Sequence, residues 1–109
     1  MVKCEITRVG EDDLILVTGG TKPHIGAIVL CTWDGIQAHV VSHGLPHHKE
    51  EKLYIELAQL WCTTFKKNVV LTGGIHIDNA TKEDIEMLVN KTWESFFLLM
   101  ANNKVSIIK

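Results

Sequence analysis

Apolar and polar positions alternate from residue 2 to residue 9, with Val2, Cys4 and Ile6 set against Lys3, Glu5 and Thr7. That two-residue period predicts a half-covered strand. Gly10-Glu11-Asp12-Asp13 is a polar turn, and the apolar run Leu14-Ile15-Leu16-Val17 predicts a second strand over residues 14–18. A third strand is predicted over 25–33, from Ile25 to Trp33. Asp34-Gly35 then has the chemistry of a two-residue hairpin turn, and Ile36–Ser42 returns as a fourth strand. The first 42 residues therefore predict an antiparallel meander.

The period changes at residue 48. Leu53, Leu57, Leu60, Trp61 and Thr64 fall at helical spacing, and Tyr54, Ala58 and Phe65 widen the stripe, predicting a helix over 48–66. Pro46 suits its entry, Glu50 and Glu51 suit its positive end, and Lys66-Lys67 suit the opposite end. Asn68 is the expected stop, followed by a short buried strand, Val69-Val70-Leu71. A second helix begins near Thr81, an N-cap residue with Asp84 in the capping-box position. Ile85, Leu88, Val89, Thr92, Trp93, Phe96, Phe97 and Met100 mark its apolar face, and Asn102-Asn103 is its expected end. Val105–Ile108 is left as an edge strand or packed tail. The element order is ββββαβα, an α+β domain spanning residues 1–109: a mostly antiparallel sheet with two helices packed on one face.

Composition narrows the function classes. The chain has 109 residues, 46% of them hydrophobic and 22% charged, and a net charge of −2, so no basic face recommends a nucleic-acid partner. No apolar run approaches the ~18–20 residues that span a bilayer, and Met1–Glu5 lacks the apolar core of a signal peptide. Cys4, Cys31 and Cys62 form no CxxC pair. They are expected to be buried free thiols, as suits a reducing cytoplasm.

The candidate chemistry lies in two glycine-rich stretches and a histidine cluster. Thr18-Gly19-Gly20-Thr21-Lys22-Pro23-His24-Ile25-Gly26 follows the second strand, and Thr72-Gly73-Gly74-Ile75-His76-Ile77-Asp78-Asn79 echoes it. Read as loops, both can present backbone N–H groups to an anion, with Lys22 adding charge. Six histidines is many for this length. His39 is expected to be structural, within a strand and on the side of Gln37 and Val41. His24 and His76 lie just beyond strand ends, while His43, His47 and His48 lie between a strand and a helix. Three neutral imidazoles can hold a divalent ion with one position open, either for water in a hydrolase or for a ligand oxygen in a binding site. Asp78 is then a fourth ligand or a carboxylate that orients His76. No HExxH, GxSxG, Walker A or GxGxxG motif is present. The three tryptophans are expected in the core or an interface.

At Thr18–Gly26, at Leu45-Pro46-His47-His48-Lys49-Glu50 and at Gly74–Thr81 the chain resembles the small prenylated-flavin chaperone family, the third component of gallate-type decarboxylase systems. The resemblance covers nearly the whole chain in the same order. It implies binding of prenylated FMN, or FMN, through its phosphate and a divalent metal. It further implies delivery to a prenylated-flavin-dependent decarboxylase, with the flavin prenyltransferase as another partner. It selects His24, His48 and His76 as metal ligands, because His47 stands where the family usually has glycine, and leaves His43 as a spare. Thr18, Gly19, Gly20, Thr21 and Lys22, with Gly73 and Gly74, are the expected cofactor-binding set, and Asp78 supports the metal. The expectation is a chaperone without turnover of its own and a homodimer, since two helices cover a sheet of this width incompletely. The alternatives are a metal-dependent hydrolase using the same histidines and a ligand-free assembly module or decarboxylase accessory subunit.

Overall fold

A computed structural model describes residues 1–46 and 49–108, with side chains described through Asn103. His47 and His48 lie outside the described residues. The strands are β1 (Val2–Val9), β2 (Asp12–Gly20), β3 (Ala27–Trp33), β4 (Ala38–Gly44) and β5 (Val69–His76), and the helices are α1 (Glu51–Phe65) and α2 (Lys82–Ile108). The predicted order ββββαβα is the observed one.

The five strands form one sheet in the order β1-β2-β5-β3-β4. The predicted meander is thus two hairpins, β1–β2 and β3–β4, with β5 inserted between them. β5 runs antiparallel to β3 and parallel to β2. Parallel neighbours need a long crossover, and here the β3–β4 hairpin together with α1 supplies it. β5 takes the central place because it is apolar on both faces: Val69 and Leu71 are buried on one, and Val70 lies half-buried on the other.

β5 also runs five residues further than the apolar triplet predicts, ending at His76 rather than Leu71. The second glycine stretch is therefore strand, and so are Gly19 and Gly20 at the end of β2. Gly73 sits between Val17 of β2 and Ala27 of β3. Its φ is +130°, and a Cβ there would strike the Val17 carbonyl. Only glycine lets the three strands close at this level.

Smaller differences have local causes. β3 and β4 are joined by four residues rather than two, because the Asp34 carboxylate accepts the N–H groups of Ile36 and Gln37 at 2.7 and 2.8 Å. α1 stops at Lys66, which has left-handed φ of 54° and donates its N–H to Cys62 O. Asn68 instead accepts the Trp33 N–H at 2.9 Å. The capping box of α2 is present: Thr81 N–H donates to Asp84 Oδ2 at 2.9 Å, and Asp84 N–H to Thr81 Oγ1 at 3.1 Å. α2 does not end at Asn102-Asn103 but continues to Ile108, so the predicted edge strand or tail is helix. Asn103 is buried, with its Oδ1 accepting from Arg8, and the low helix propensity of asparagine is a handicap of only ~0.7 kcal/mol.

Both helices lie on one face. α1 covers β3, β4 and β5, and α2 covers β1. Ile15, Val17, Val29 and Leu71 meet Tyr54, Leu57, Trp61 and Phe96 there, all fully buried. The opposite face carries Leu14, Leu16, Ile28, Leu30 and Val41, whose exposures range from 37% to 69%. At the end of the sheet away from His24 and His76, Asp13 is buried and accepts from Trp61 Nε1 at 2.7 Å, from Lys67 and from Arg8. The cysteines are free, Cys31 and Cys62 buried and Cys4 half-buried. No helix among the described residues is long and apolar enough to cross a membrane.

Candidate functional site

Parallel pairing makes β2 and β5 finish at the same end of the sheet, with Gly20 level with His76. β3 starts there, β4 finishes there, and α1 begins beside them. The short connection Thr21–Gly26 therefore drops His24 next to His76. Their ring centroids are 5.5 Å apart and nearly perpendicular.

Each ring is held by a carboxylate. His76 Nε2 lies 2.8 Å from Asp78 Oδ1. His24 Nε2 lies 3.2 Å from Glu50 Oε2, and its Nδ1 lies 3.1 Å from the Lys22 carbonyl. Both ring nitrogens of His24 thus face an oxygen, and which of them donates depends on the tautomer. Glu50 is the residue that sequence reasoning missed. Its position before α1 suggests only a favourable interaction with the helix end. Its carboxylate instead makes no cap, is buried, and turns to His24 and to the Ile75 N–H at 3.2 Å. Nothing local in the sequence signals that contact, which depends on how α1 meets the sheet.

Glycines clear the space for this pair. A Cβ on Gly74 would lie 2.8 Å from the His24 ring and 2.9 Å from its carbonyl oxygen, and one on Gly26 would collide with the Glu50 carboxylate. Gly20, at φ +86°, lets the His76 carbonyl approach. The backbone donors are largely used within the fold. Gly20 N–H donates to Met1 O at 3.1 Å, Thr21 N–H to His76 O at 2.7 Å, and Gly26 N–H to Gly73 O at 2.8 Å. Thr18 and Gly19 pair in β2, level with Gly74 and Ile75. The glycine stretches thus act as close-packed strand ends around the corner, and Lys22 is exposed beside it.

Two hollows meet at His76. One, of about 270 Å³, is lined by Lys22, His24, Ile25 and His76. The other, of about 250 Å³, lies between α1, the end of β5 and α2, and is mainly apolar, with Leu53, Ile75, Ile77, Ile85, Leu88 and Val89 in its wall. The sequence pattern assigns the α2 residues of that wall to the core stripe alone.

The other histidines are placed differently. His43 is exposed near the end of β4, paired with Ile28. His39 lies toward the far end, 2.6 Å from Asp34 Oδ2. That bond, with the two backbone N–H groups, holds the Asp34 carboxyl down to about 2. The predicted ligand set His24, His48, His76 and Asp78 is represented by three of its members. Among the described residues no group of three histidine, cysteine or acidic side chains is disposed to hold a metal ion. Burial pushes the Cys62 thiol up to about 12 and raises Cys31 as well, which keeps both thiols protonated at neutral pH.

Residues 1–103 match the prenylated flavin chaperone LpdD-like domain. The chain is also 34% identical over 79 residues to Protein LpdD of Lactiplantibacillus plantarum, a match covering 71% of this chain and 58% of that protein's length. On this extent of similarity, the chain belongs to the LpdD-like family of prenylated flavin chaperones.

Proposed function

We propose that this chain carries prenylated FMN, or FMN, by its phosphate at the corner formed by Lys22, His24 and His76, and hands it to a prenylated-flavin-dependent decarboxylase. The flavin prenyltransferase is the matching donor. The observation that carries this is the gathering of Lys22, His24 and His76, from two separate segments, around one hollow. A phosphate dianion is matched there by an ammonium and by imidazole donors. Thr18, Gly19, Gly20, Thr21, Gly73 and Gly74 shape the corner, and Lys22 supplies its charge. The role is binding and transfer, in a single domain of the cytoplasm.

A divalent ion enters through His48, which would join His24 and His76 with Asp78 in support; its part would be to offset phosphate charge. The apolar residues on the open sheet face, Leu14, Leu16, Ile28, Leu30 and Val41, favour a homodimer that covers them. Sedimentation over a range of concentrations tests the dimer, and Leu30→Glu should shift it to monomer.

The function is tested by titrating the chain with prenylated FMN, with and without a chelator. Saturable binding that weakens at least about tenfold in His24→Ala and in Lys22→Ala supports the corner. Binding indifferent to both substitutions sinks it. A chelator that changes nothing removes the ion but leaves the phosphate site standing.

A further inference from the structure

We infer that the apolar cleft between α1, β5 and α2 receives the ring end of the bound flavin, with His76 as the partition between the ring and its phosphate. This deepens the proposal above and rests on it. Two neighbouring hollows share His76: one has Lys22, His24 and Ile25 in its wall, and the other sets aliphatic side chains of α1, β5 and α2 beside Lys49 and Glu50. An FMN-type ligand can span such a pair: a dianionic phosphate is joined by a flexible ribityl chain to a flat ring system with an apolar dimethylbenzene side and a polar pyrimidine edge. The cleft volume of about 250 Å³ is below the ~300–1,000 Å³ of sites that enclose a whole drug-sized ligand, so it suits a part of such a molecule.

The rim also points to an occupant. Ile85 is 53% exposed although it belongs to the wall, and an aliphatic side chain left half in water beside a cleft gains by being covered. Ile75 and Ile77 flank His76 in sequence, so the strand end that offers the imidazole also offers two branched aliphatic contacts. Ala80, in the turn before α2, is the smallest member of the wall. An isoprenoid-derived ring fused to the flavin adds apolar surface at this end of the ligand, so the cleft is where prenylated and plain FMN would be told apart.

The test uses the full chain labelled at its isoleucine methyl groups. On adding prenylated FMN, the methyls of Ile75, Ile77 and Ile85 should show ring-current shifts, while Ile6 and Ile36 stay in place. Ala80→Leu, which fills the cleft from a turn, should weaken prenylated FMN at least about tenfold and leave displacement by inorganic phosphate unchanged. Lys22→Ala should weaken both. Ile85→Asp, at an exposed rim position, reads the same loss should Ala80→Leu fail to fold. Unshifted isoleucine methyls at saturation, or full affinity in Ala80→Leu beside lost affinity in Lys22→Ala, would overturn the cleft and keep the phosphate corner. No binding of prenylated FMN by the wild-type chain would overturn both.

Discussion

Replacing Gly74 with alanine adds one methyl group against His24 and so tests how tightly the corner is set. The new carbon would lie 2.8 Å from the imidazole, whereas carbon contacts settle at about 3.5–4.0 Å, so the ring must retreat by about 0.7 Å or more. It cannot escape by rotation alone, because the His24 carbonyl oxygen is also within 2.9 Å of the added carbon. A shift of that size disturbs the contact of His24 Nε2 with Glu50, which at 3.2 Å is already long for a hydrogen bond. Overpacking of this kind destabilises a fold by about 1–3 kcal/mol, which a domain with about 5–15 kcal/mol of stability survives. The binding loss is different in kind. One hydrogen bond to a charged group is worth about 1.5–3 kcal/mol, or about ten- to hundredfold in Kd. The expected result is a folded protein, by circular dichroism and melting, whose Kd for prenylated FMN rises by that factor. A folded Gly74→Ala variant with wild-type affinity, alongside a His24→Ala variant that has lost it, would refute the argument that glycine sets the imidazole.

Three further outcomes are expected. Glu50→Gln keeps an acceptor for the Ile75 N–H but removes the charge facing His24; the fold should persist, and the Nε2 resonance of His24 should move in nitrogen-15 spectra, whereas an unmoved resonance would show that the pair is not formed in solution. Asp13→Ala strips the buried acceptor shared by Trp61, Lys67 and Arg8; losing such a partner costs about 3–5 kcal/mol, reduced here because Arg8 is half-exposed, so urea unfolding should show a loss of about 3 kcal/mol, and Asp13→Asn a smaller one. Alkaline pH should destabilise the protein through Cys62 and Tyr54, whose folded values are raised by burial, Cys62 from 9.0 to about 12 and Tyr54 above its ordinary 10.0. The unfolded chain then gives up these protons first, so stability is intact below pH 9 and falls as pH rises toward 12; Cys62→Ala should flatten the first part of that fall, and a urea midpoint constant from pH 8 to 11 would contradict the burial.

Much of the fold was legible because local pattern decides it. The period-two alternation from Val2 to Val9 and the capping box at Thr81 and Asp84 are each settled within a few residues, and both appear as read. The strand order was not legible. Alternation in residues 12–44 is compatible with β3 pairing beside β2, and only the two-sided apolar character of Val69-Val70-Leu71 hints that β5 belongs between them. The glycines misled for a related reason: a turn that needs positive φ and a strand that needs a close neighbour ask for the same residue. Gly73 and Gly74 are of the second type, and so β5 runs through them. Of the candidate site, His24, Lys22 and His76 could be found because polar residues at or just past a strand end are open to other segments. Glu50 could not, since a glutamate before a helix already has a sufficient local explanation.

The placement of β5 is what gives the corner its composition. Were β3 paired directly with β2, the chain leaving Gly20 would turn tightly back, and there would be no reason for a six-residue connection from Thr21 to Gly26. With β5 inserted, that connection must cross over the end of a strand to reach β3, and it crosses at His76, the last residue of β5. His24 meets His76 because the path between β2 and β3 passes over it, and Gly74 is small because the imidazole carried on that path needs the room. Strand order, the spacing of Lys22 and His24 behind Gly20, and the second Thr-Gly-Gly stretch are therefore one structural decision. A change that altered the crossing, such as shortening Thr21–Gly26 to a two-residue turn, would separate the imidazoles even with every candidate side chain retained.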